Sequence, residues 1–196
     1  MTEGTESSLA SRPLQALLAE VAAKTSAPGG GAVAAIGVAL AASLCAMAAR
    51  LSETALTDAS SLAARCDGLA ARALTLASAD AHAYEAVLEV RRIRRSEGGA
   101  SSGTDEDLLV ALFGASDVPL EVADLGAEVT ELAARLLSDG NSNLAGDAFT
   151  AAQLAHGATR AAARLAEINL ASCGPTAEGR RDRAVAVVER AAAALS

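Results

Sequence analysis

Residues 27–51 read APGGGAVAAIGVALAASLCAMAARL, a proline–glycine turn followed by an almost uninterrupted apolar run from Ala32 to Ala49. Alanine is the strongest helix former, and a helix that is apolar on every side is buried in a bundle or crosses a membrane. The run is mostly alanine and lacks the bulky side chains that drive membrane insertion. We therefore predict the central helix of a soluble, all-α protein, an antiparallel bundle of long helices.

Composition supports this prediction. The 196 residues are enough for one domain, so residues 1–196 are expected to form a single helical unit. Aromatic residues, which are typical of strands, make up only 2% of the chain, and the net charge of −8 argues against general binding to nucleic acid or anionic membranes. Three cysteines without paired spacing predict buried free thiols, and the polar N-terminus shows no secretory signal, so we expect a cytoplasmic protein.

The apolar pattern predicts seven helical segments. The third segment begins after Asp58, its N-cap residue, and runs to Arg95, and a proline at position 119 is expected to separate the fourth segment from the fifth. The other predicted segments are Ser11–Lys24, the apolar helix to Ser52, one opening at Thr104, one ending at Asp139, one ending near Ala171 and one after Thr176. Ser96–Gly103 has the composition of a loop.

One side of the predicted third helix repeats every seven residues. Its members are Leu62, Cys66, Leu69, Ala73, Leu76, Asp80, Ala83, Val87 and Val90. Asp80 is the one polar member, and a buried carboxylate is costly unless it is paired, hydrogen-bonded or protonated. Burial also raises the pKa of a carboxyl group towards the range useful for acid–base catalysis. Asp80 is therefore either a catalytic group or a structural one that binds a helix terminus.

The three glycines before the apolar helix also permit two interpretations. Gly29, Gly30 and Gly31 would leave backbone N–H groups free at the positive end of a helix, where an anion or a carbonyl oxygen binds. Alternatively, they form a tight turn that packs the first helix on the second.

Five sequence blocks resemble, in the same order, the cyclodeaminase/cyclohydrolase family of folate enzymes. That family includes the C-terminal domain of formiminotransferase-cyclodeaminase and bacterial methenyltetrahydrofolate cyclohydrolases. The blocks are Ala27–Leu51, Asp80-Ala-His-Ala-Tyr84, Val118-Pro119-Leu120, Gly140-Asn141-Ser142-Asn143 with Asp147, and Asn169-Leu170. The resemblance implies an all-helical homodimer that acts on a tetrahydrofolate derivative, with no metal and no cofactor beyond that substrate. From the acidic composition we expect no nucleic-acid or membrane partner.

The resemblance further implies roles for individual residues. Asp80 matches the family's proton donor and acceptor, and the glycine turn would approach the substrate. Arg95 ends a basic cluster and would hold a glutamate carboxylate of the folate, although it also suits a solvated helix end. Asn141, Asn143 and Asp147 would hold the pterin ring, or else cap the following helix.

Three functions remain open from the sequence. The first is hydrolysis of 5,10-methenyltetrahydrofolate to 10-formyltetrahydrofolate. The second is a formiminotetrahydrofolate cyclodeaminase, which releases ammonia. The third is a degenerate family member that binds a folate-like ligand or a partner without turnover. The last is motivated by Ser52–Ser60, which contains no Lys or Tyr where many relatives are rich in both.

Overall fold

The computed structural model describes residues 9–96 and 102–196 and is all-α, as predicted, with no strand in those two ranges. Six α-helices carry the fold, and short 3₁₀ turns stand at Leu9–Ser11, Ser142–Leu144 and Gly174–Ala177. The helices are α1 (Leu14–Val21), α2 (Gly30–Arg50), α3 (Ala59–Ser96), α4 (Ser102–Asp139), α5 (Ala145–Leu170) and α6 (Glu178–Ala193). The predicted loop after Ser96 falls mainly on residues 97–101, which lie outside the described ranges.

Helix α2 is the central element and packs on α3, α4 and α5. Its buried positions are almost all alanine or glycine, so neighbouring backbones approach closely. Gly37, for example, lies where an added Cβ would be 3.5 Å from Cβ of Ala158 on α5. In the described ranges, α2 is the one helix that is long and apolar enough to span a membrane. However, 61% of its most apolar stretch of 18 residues is buried inside the fold. The packing is that of a core helix.

Helix α3 buries the first part of the seven-residue stripe as predicted, with Leu62, Cys66, Leu69, Ala73 and Leu76 all inaccessible to solvent or nearly so. Further along, Val87 is buried, but Asp80, Ala83 and Val90 are only half-buried. It runs antiparallel to α4, and a ladder of ion pairs at seven-residue spacing joins the two helices. The pairs are Asp58–Arg135, Arg65–Glu128 and Arg72–Glu121. Exposed pairs of this kind add little stability, so their main effect is to fix the register of the two helices.

The predicted break at Pro119 is wrong, because α4 continues from Ser102 to Asp139 with this proline inside it. Proline has no N–H group, which deprives the carbonyl of Ala115 of its usual helical partner four residues later. The side-chain amide of Asn169 on α5 donates a hydrogen bond to that carbonyl at 2.7 Å. The missing backbone bond is therefore replaced from a neighbouring helix, and two predicted helices are one.

Smaller features follow the sequence analysis more closely. Helix α1 is shorter than predicted, because Pro13 stands at its N-cap and the chain leaves the helix at Ala22. All three cysteines, Cys45, Cys66 and Cys173, are buried and none is in a disulfide, as predicted.

Candidate functional site

Asp80 lies beside the N-terminus of α2. Its Oδ2 atom accepts a hydrogen bond of 3.1 Å from the backbone N–H of Ala32, which belongs to the first turn of that helix. The structural role considered for Asp80 is therefore present: the carboxylate binds a helix terminus across the packing of α2 on α3. This contact also fixes the position of the carboxylate, which an acid–base catalyst requires.

Gly31 makes this contact possible. A Cβ atom added to Gly31 would lie 1.9 Å from Oδ1 of Asp80, far inside any allowed contact. At Gly30 the same atom would be 3.5 Å from Leu165, and at Gly29 it would be 3.6 Å from the carbonyl of Ser26, both ordinary distances. The three glycines therefore differ in the space around them, and Gly31 is the one at which Asp80 leaves no room for a side chain.

Two opposed effects act on the Asp80 carboxyl group. Burial raises its pKa above the ordinary value, and the hydrogen bond from the Ala32 N–H lowers it by a smaller amount. The net direction is upward. A carboxyl group with a raised pKa accepts a proton more readily than an ordinary aspartate does and is more often protonated at neutral pH, so it can act as base and then as acid.

A cavity of about 260 Å³ opens at this end of α2. The glycine turn and Asp80 form one side, and α5 forms the opposite side with Leu165, Ile168 and Asn169. Because Tyr84 follows Asp80 by four residues on α3, both lie on the same helix face, and the half-exposed ring of Tyr84 also lines the cavity. The site thus combines a carboxylate, an aromatic ring, an amide side chain and the N-terminus of a helix.

A second cavity of about 350 Å³ adjoins the first and shares Ala27 and Ala81 with it. Arg12 and Glu20, which form an ion pair, stand in its wall together with His82 and Ser78. Within the described ranges, the Ser78 Oγ atom is the one buried side-chain oxygen or nitrogen without a hydrogen-bond partner. The two cavities are therefore neighbours on either side of Ala27 and Ala81.

The predicted residues Asn141, Asn143 and Asp147 lie at the other end of α2. The backbone N–H of Asn141 donates to Oγ of Ser52 at 2.9 Å, and its side-chain amide donates to the carbonyl of Leu51 at 3.0 Å. Helix α2 has 21 residues, so this turn is about 30 Å from the glycines. One chain therefore brings Asp80 and the three glycines together but leaves this polar turn apart.

The side chains of the turn have local roles as well. The Oδ1 atom of Asn141 accepts from the N–H of Asn143 at 3.1 Å and so caps the 3₁₀ turn. Asn143 is exposed, and Asp147 stands half-buried in the first turn of α5. The capping role considered for Asp147 is not seen, because the N-cap of α5 is Leu144 and forms no side-chain capping bond, while Asn141 caps only the preceding 3₁₀ turn.

Arg95 lies near the end of α3, fifteen residues beyond Asp80, which corresponds to about 22 Å along the helix. Its side chain is exposed, and the neighbouring Arg94 binds Asp105 at 2.9 Å. In the described part of the chain no three His, Cys, Asp or Glu side chains cluster as metal ligands would.

Sequence reasoning did not select Tyr84 and Asn169 as site residues. The spacing of four between Asp80 and Tyr84 was a usable signal for a shared helix face. No comparable local signal exists for Asn169, because its partner Ala115 is 54 positions away.

Comparison with known proteins agrees with this architecture. The family model described as formiminotransferase-cyclodeaminase matches residues 13–180. The chain belongs to the formiminotransferase-cyclodeaminase family. Its fold is similar to the crystal structure of formiminotetrahydrofolate cyclodeaminase from Thermotoga maritima, with a TM-score of 0.81 and 25% sequence identity over 95% of this chain and 91% of that one. A search of curated proteins found no match.

The family assignment confirms the resemblance seen in the sequence and places the chain among folate-related one-carbon enzymes.

Proposed function

We propose that the Asp80 cavity binds a tetrahydrofolate derivative and that Asp80 carries protons to and from its one-carbon unit. The observation that supports this most directly is the position of the Asp80 carboxylate, half-buried in the cavity wall and held by the Ala32 N–H. A carboxylate fixed by one oxygen keeps lone pairs available for a second partner. The raised pKa suits a group that accepts a proton and returns it in one catalytic cycle.

The other cavity residues suit a folate ring system. The Tyr84 ring offers an apolar face for stacking a planar heterocycle, and the first N–H groups of α2 offer donors for a carbonyl oxygen. The adjoining cavity shares Ala27 and Ala81 with this one. Arg95 is proposed to meet the far glutamate carboxylates of an extended tail.

Two reactions use this arrangement. In a cyclodeaminase, N10 attacks the carbon of the protonated formimino group, and Asp80 takes the proton from N10 and returns it to the nitrogen that departs. The bond from the carbon to that nitrogen then breaks, which releases ammonia and leaves the positively charged 5,10-methenyl bridge. The name of the similar Thermotoga maritima protein favours this reaction. In a cyclohydrolase, water adds to the methenyl carbon, and Asp80 takes one proton from the water and returns it to N5. The C–N5 bond then breaks, and the remaining hydroxyl group loses its proton to solvent as it becomes the carbonyl of 10-formyltetrahydrofolate.

One absorbance band tests both reactions, because 5,10-methenyltetrahydrofolate is the product of the first and the substrate of the second. With 5-formiminotetrahydrofolate as substrate, a cyclodeaminase makes the band rise. With 5,10-methenyltetrahydrofolate, a cyclohydrolase makes it fall faster than spontaneous hydrolysis. We expect one of these changes from the wild type and neither from Asp80→Asn. Ligand binding without either change, seen as a raised melting temperature, would support a protein that binds folate without turnover.

The chain is further proposed to work as a homodimer in the cytoplasm. The apolar helix α2 is not fully covered within one chain, and a second copy is the simplest way to cover it. Light scattering that shows a monomer at micromolar concentration would contradict this proposal.

A further inference from the structure

The side-chain amide of Asn169 is held in one orientation. Its Nδ2 atom donates to the carbonyl of Ala115 on α4, and the reverse orientation would set two acceptors, Oδ1 and the carbonyl oxygen, against each other. In the described part of the chain no group donates to Oδ1, and this atom is not buried, because only Ser78 Oγ there is both buried and unpartnered. Asn169 therefore keeps an unused acceptor at the wall of the Asp80 cavity.

Pro119 is the origin of this orientation. In an uninterrupted helix the N–H of residue 119 would occupy the Ala115 carbonyl, but proline has no N–H to donate. Pro119 is fully buried inside α4 and lines neither of the two cavities. It leaves the carbonyl to Asn169 and so fixes that amide from behind the cavity wall.

Asn169 lies just beyond the N-terminus of α2. Helix α5 runs antiparallel to α2, and Gly30 at the start of α2 stands against Leu165. Gly37, seven residues further along α2, stands against Ala158, seven residues earlier on α5. Asn169 is four residues past Leu165, or about 6 Å further along the axis of α5. This is the region into which the first N–H groups of α2 point.

Those N–H groups supply donors next to the fixed acceptor. Asp80 takes the N–H of Ala32, and the N-cap residue Gly29 has no side chain with which to cap the helix. The N–H groups of Gly30 and Gly31 belong to the first turn, where a helix has no partner of its own for them. All three glycines line the same cavity as Asn169. The cavity thus offers backbone donors beside one oriented acceptor.

Donors beside an acceptor match a lactam edge, in which a carbonyl oxygen and an N–H group are neighbours. The pyrimidine ring of tetrahydrofolate has this edge, with an oxygen on C4 and a hydrogen on N3. We propose that Asn169 selects the ring of the ligand: its Oδ1 atom accepts a hydrogen bond from the lactam N–H, the first N–H groups of α2 donate to the lactam oxygen, and Pro119 positions the amide. This inference rests on the proposed function and names the ring edge that is recognised.

Two matched ligands test the selection without catalysis. 5-Formyltetrahydrofolate has the lactam edge, whereas its 4-amino analogue has an NH₂ group in place of the oxygen and no hydrogen on N3. In calorimetric titration the wild type should bind the first more tightly by about 10–100-fold, because the analogue leaves polar groups of the site unpaired. Equal affinities would overturn the selection and leave the proposed function standing. Binding of neither ligand would refute both.

Pro119→Ala tests the positioning. It keeps the Asn169 side chain but supplies an N–H that competes for the Ala115 carbonyl, so the amide is free to turn and the preference should fall to about threefold or less. Pro175→Ala is the matched control, because Pro175 is exposed in the Gly174–Ala177 turn and lines neither cavity. It should keep the wild-type preference. An unchanged preference in Pro119→Ala would overturn the positioning role.

The amide itself is best removed in a double variant. Asn169→Ala alone leaves the Ala115 carbonyl without a partner, whereas in Pro119→Ala/Asn169→Ala the new N–H satisfies it. With its fold checked by circular dichroism, the double variant should bind the two ligands with about equal affinity. A preference that survives without the amide would assign the selection to another group and overturn the proposal.

NMR tests the orientation without any ligand. The two Nδ2 protons of Asn169 are assigned by their absence from the spectrum of the double variant. They should exchange slowly with solvent in the wild type, where one is hydrogen-bonded, and faster in Pro119→Ala. Equal exchange rates in these two proteins would show that Pro119 does not hold the amide, whatever the protein binds.

Discussion

The Cα atom of Gly31 lies directly against the carboxylate of Asp80, with no space between them for a methyl group. Gly31→Ala should therefore displace the carboxylate and destabilise the protein by about 1–3 kcal/mol, as overpacking commonly does. Differential scanning calorimetry should record a drop of about 2–4 °C in melting temperature for each kcal/mol.

Gly30→Ala is the matched control for this prediction. It adds the same methyl group one residue earlier, where the new Cβ meets Leu165 at an ordinary distance of 3.5 Å. Its melting temperature should be unchanged or higher, because alanine is the better helix former. Equal losses in the two variants would show that the contact with Asp80 is not the cause.

The raised pKa of Asp80 predicts a specific dependence of stability on pH. Between about 3.9, the value for an unfolded aspartate, and the raised native value, the folded protein binds more protons than the unfolded chain. Stability from this group therefore falls as pH rises through that interval. Asp80→Asn removes the effect, so its melting temperature should match the wild type in acid and equal or exceed it at pH 7.

Asp58→Asn should reveal a dependence of stability on pH that is opposite in sign to that of Asp80. The hydrogen-bonded Arg135 lowers the pKa of Asp58, so this carboxylate stabilises the fold above about pH 3.9 and loses that effect as pH falls through its native pKa. The Asn variant should be the less stable protein at pH 7, with the difference shrinking in acid. Melting curves of both variants from about pH 2 to pH 8 distinguish the two signs.

Asn169 is predicted to stabilise α4 by replacing the hydrogen bond that Pro119 removes. Asn169→Ala leaves the buried carbonyl of Ala115 without its partner, which costs about 1–3 kcal/mol. Pro119→Ala supplies a new N–H to the same carbonyl, so the double variant should lose less stability than the sum of the two single losses. Urea unfolding of all four proteins measures this coupling, and strict additivity would contradict it.

Gly126 on α4 is predicted to tolerate a side chain as poorly as Gly31 does. A Cβ atom there would lie 2.4 Å from Oγ1 of Thr159 and 3.1 Å from Val38, so Gly126→Ala should lower the melting temperature by several degrees. Adding Thr159→Ala removes the closest atom and should restore part of the loss.

Gly68→Ala on the exposed face of α3 is the control for Gly126→Ala. A Cβ atom there would meet nothing within 4 Å, so this change should raise stability by about 0.5–1 kcal/mol. A similar loss at both positions would show that helix propensity, and not contact, decides the outcome.

The parts of the structure that follow from local pattern were predictable from the sequence. The α2 run and the seven-residue stripe of α3 each lie within one helix, so periodicity alone identified them and marked Asp80. The continuity of α4 was not predictable in this way. It depends on Asn169 reaching Ala115 from another helix, and no pattern near Pro119 signals that partner.

The candidate site shows the same division. Gly31 and Asp80 meet because α2 and α3 are adjacent and antiparallel, which the order of the chain favours. The separation of the Asn141 turn from Asp80 depends on where α5 lies along α2, and that requires three-dimensional packing. The ladder of ion pairs between α3 and α4 was likewise not predictable from the sequence, because it depends on how the two helices are aligned with each other.

A core built from alanine should tolerate smaller residues better than larger ones. Each buried alanine has only a methyl group to lose, whereas any larger residue at Ala35, Ala41 or Ala155 would force helix backbones apart. Alanine also has no rotamers, so neighbouring side chains cannot rearrange to absorb the addition. Sequence change in this interior is therefore expected to be nearly one-directional over evolution, towards equal or smaller residues. Variation in ligand preference among relatives should then arise from cavity side chains and not from movements of the helices.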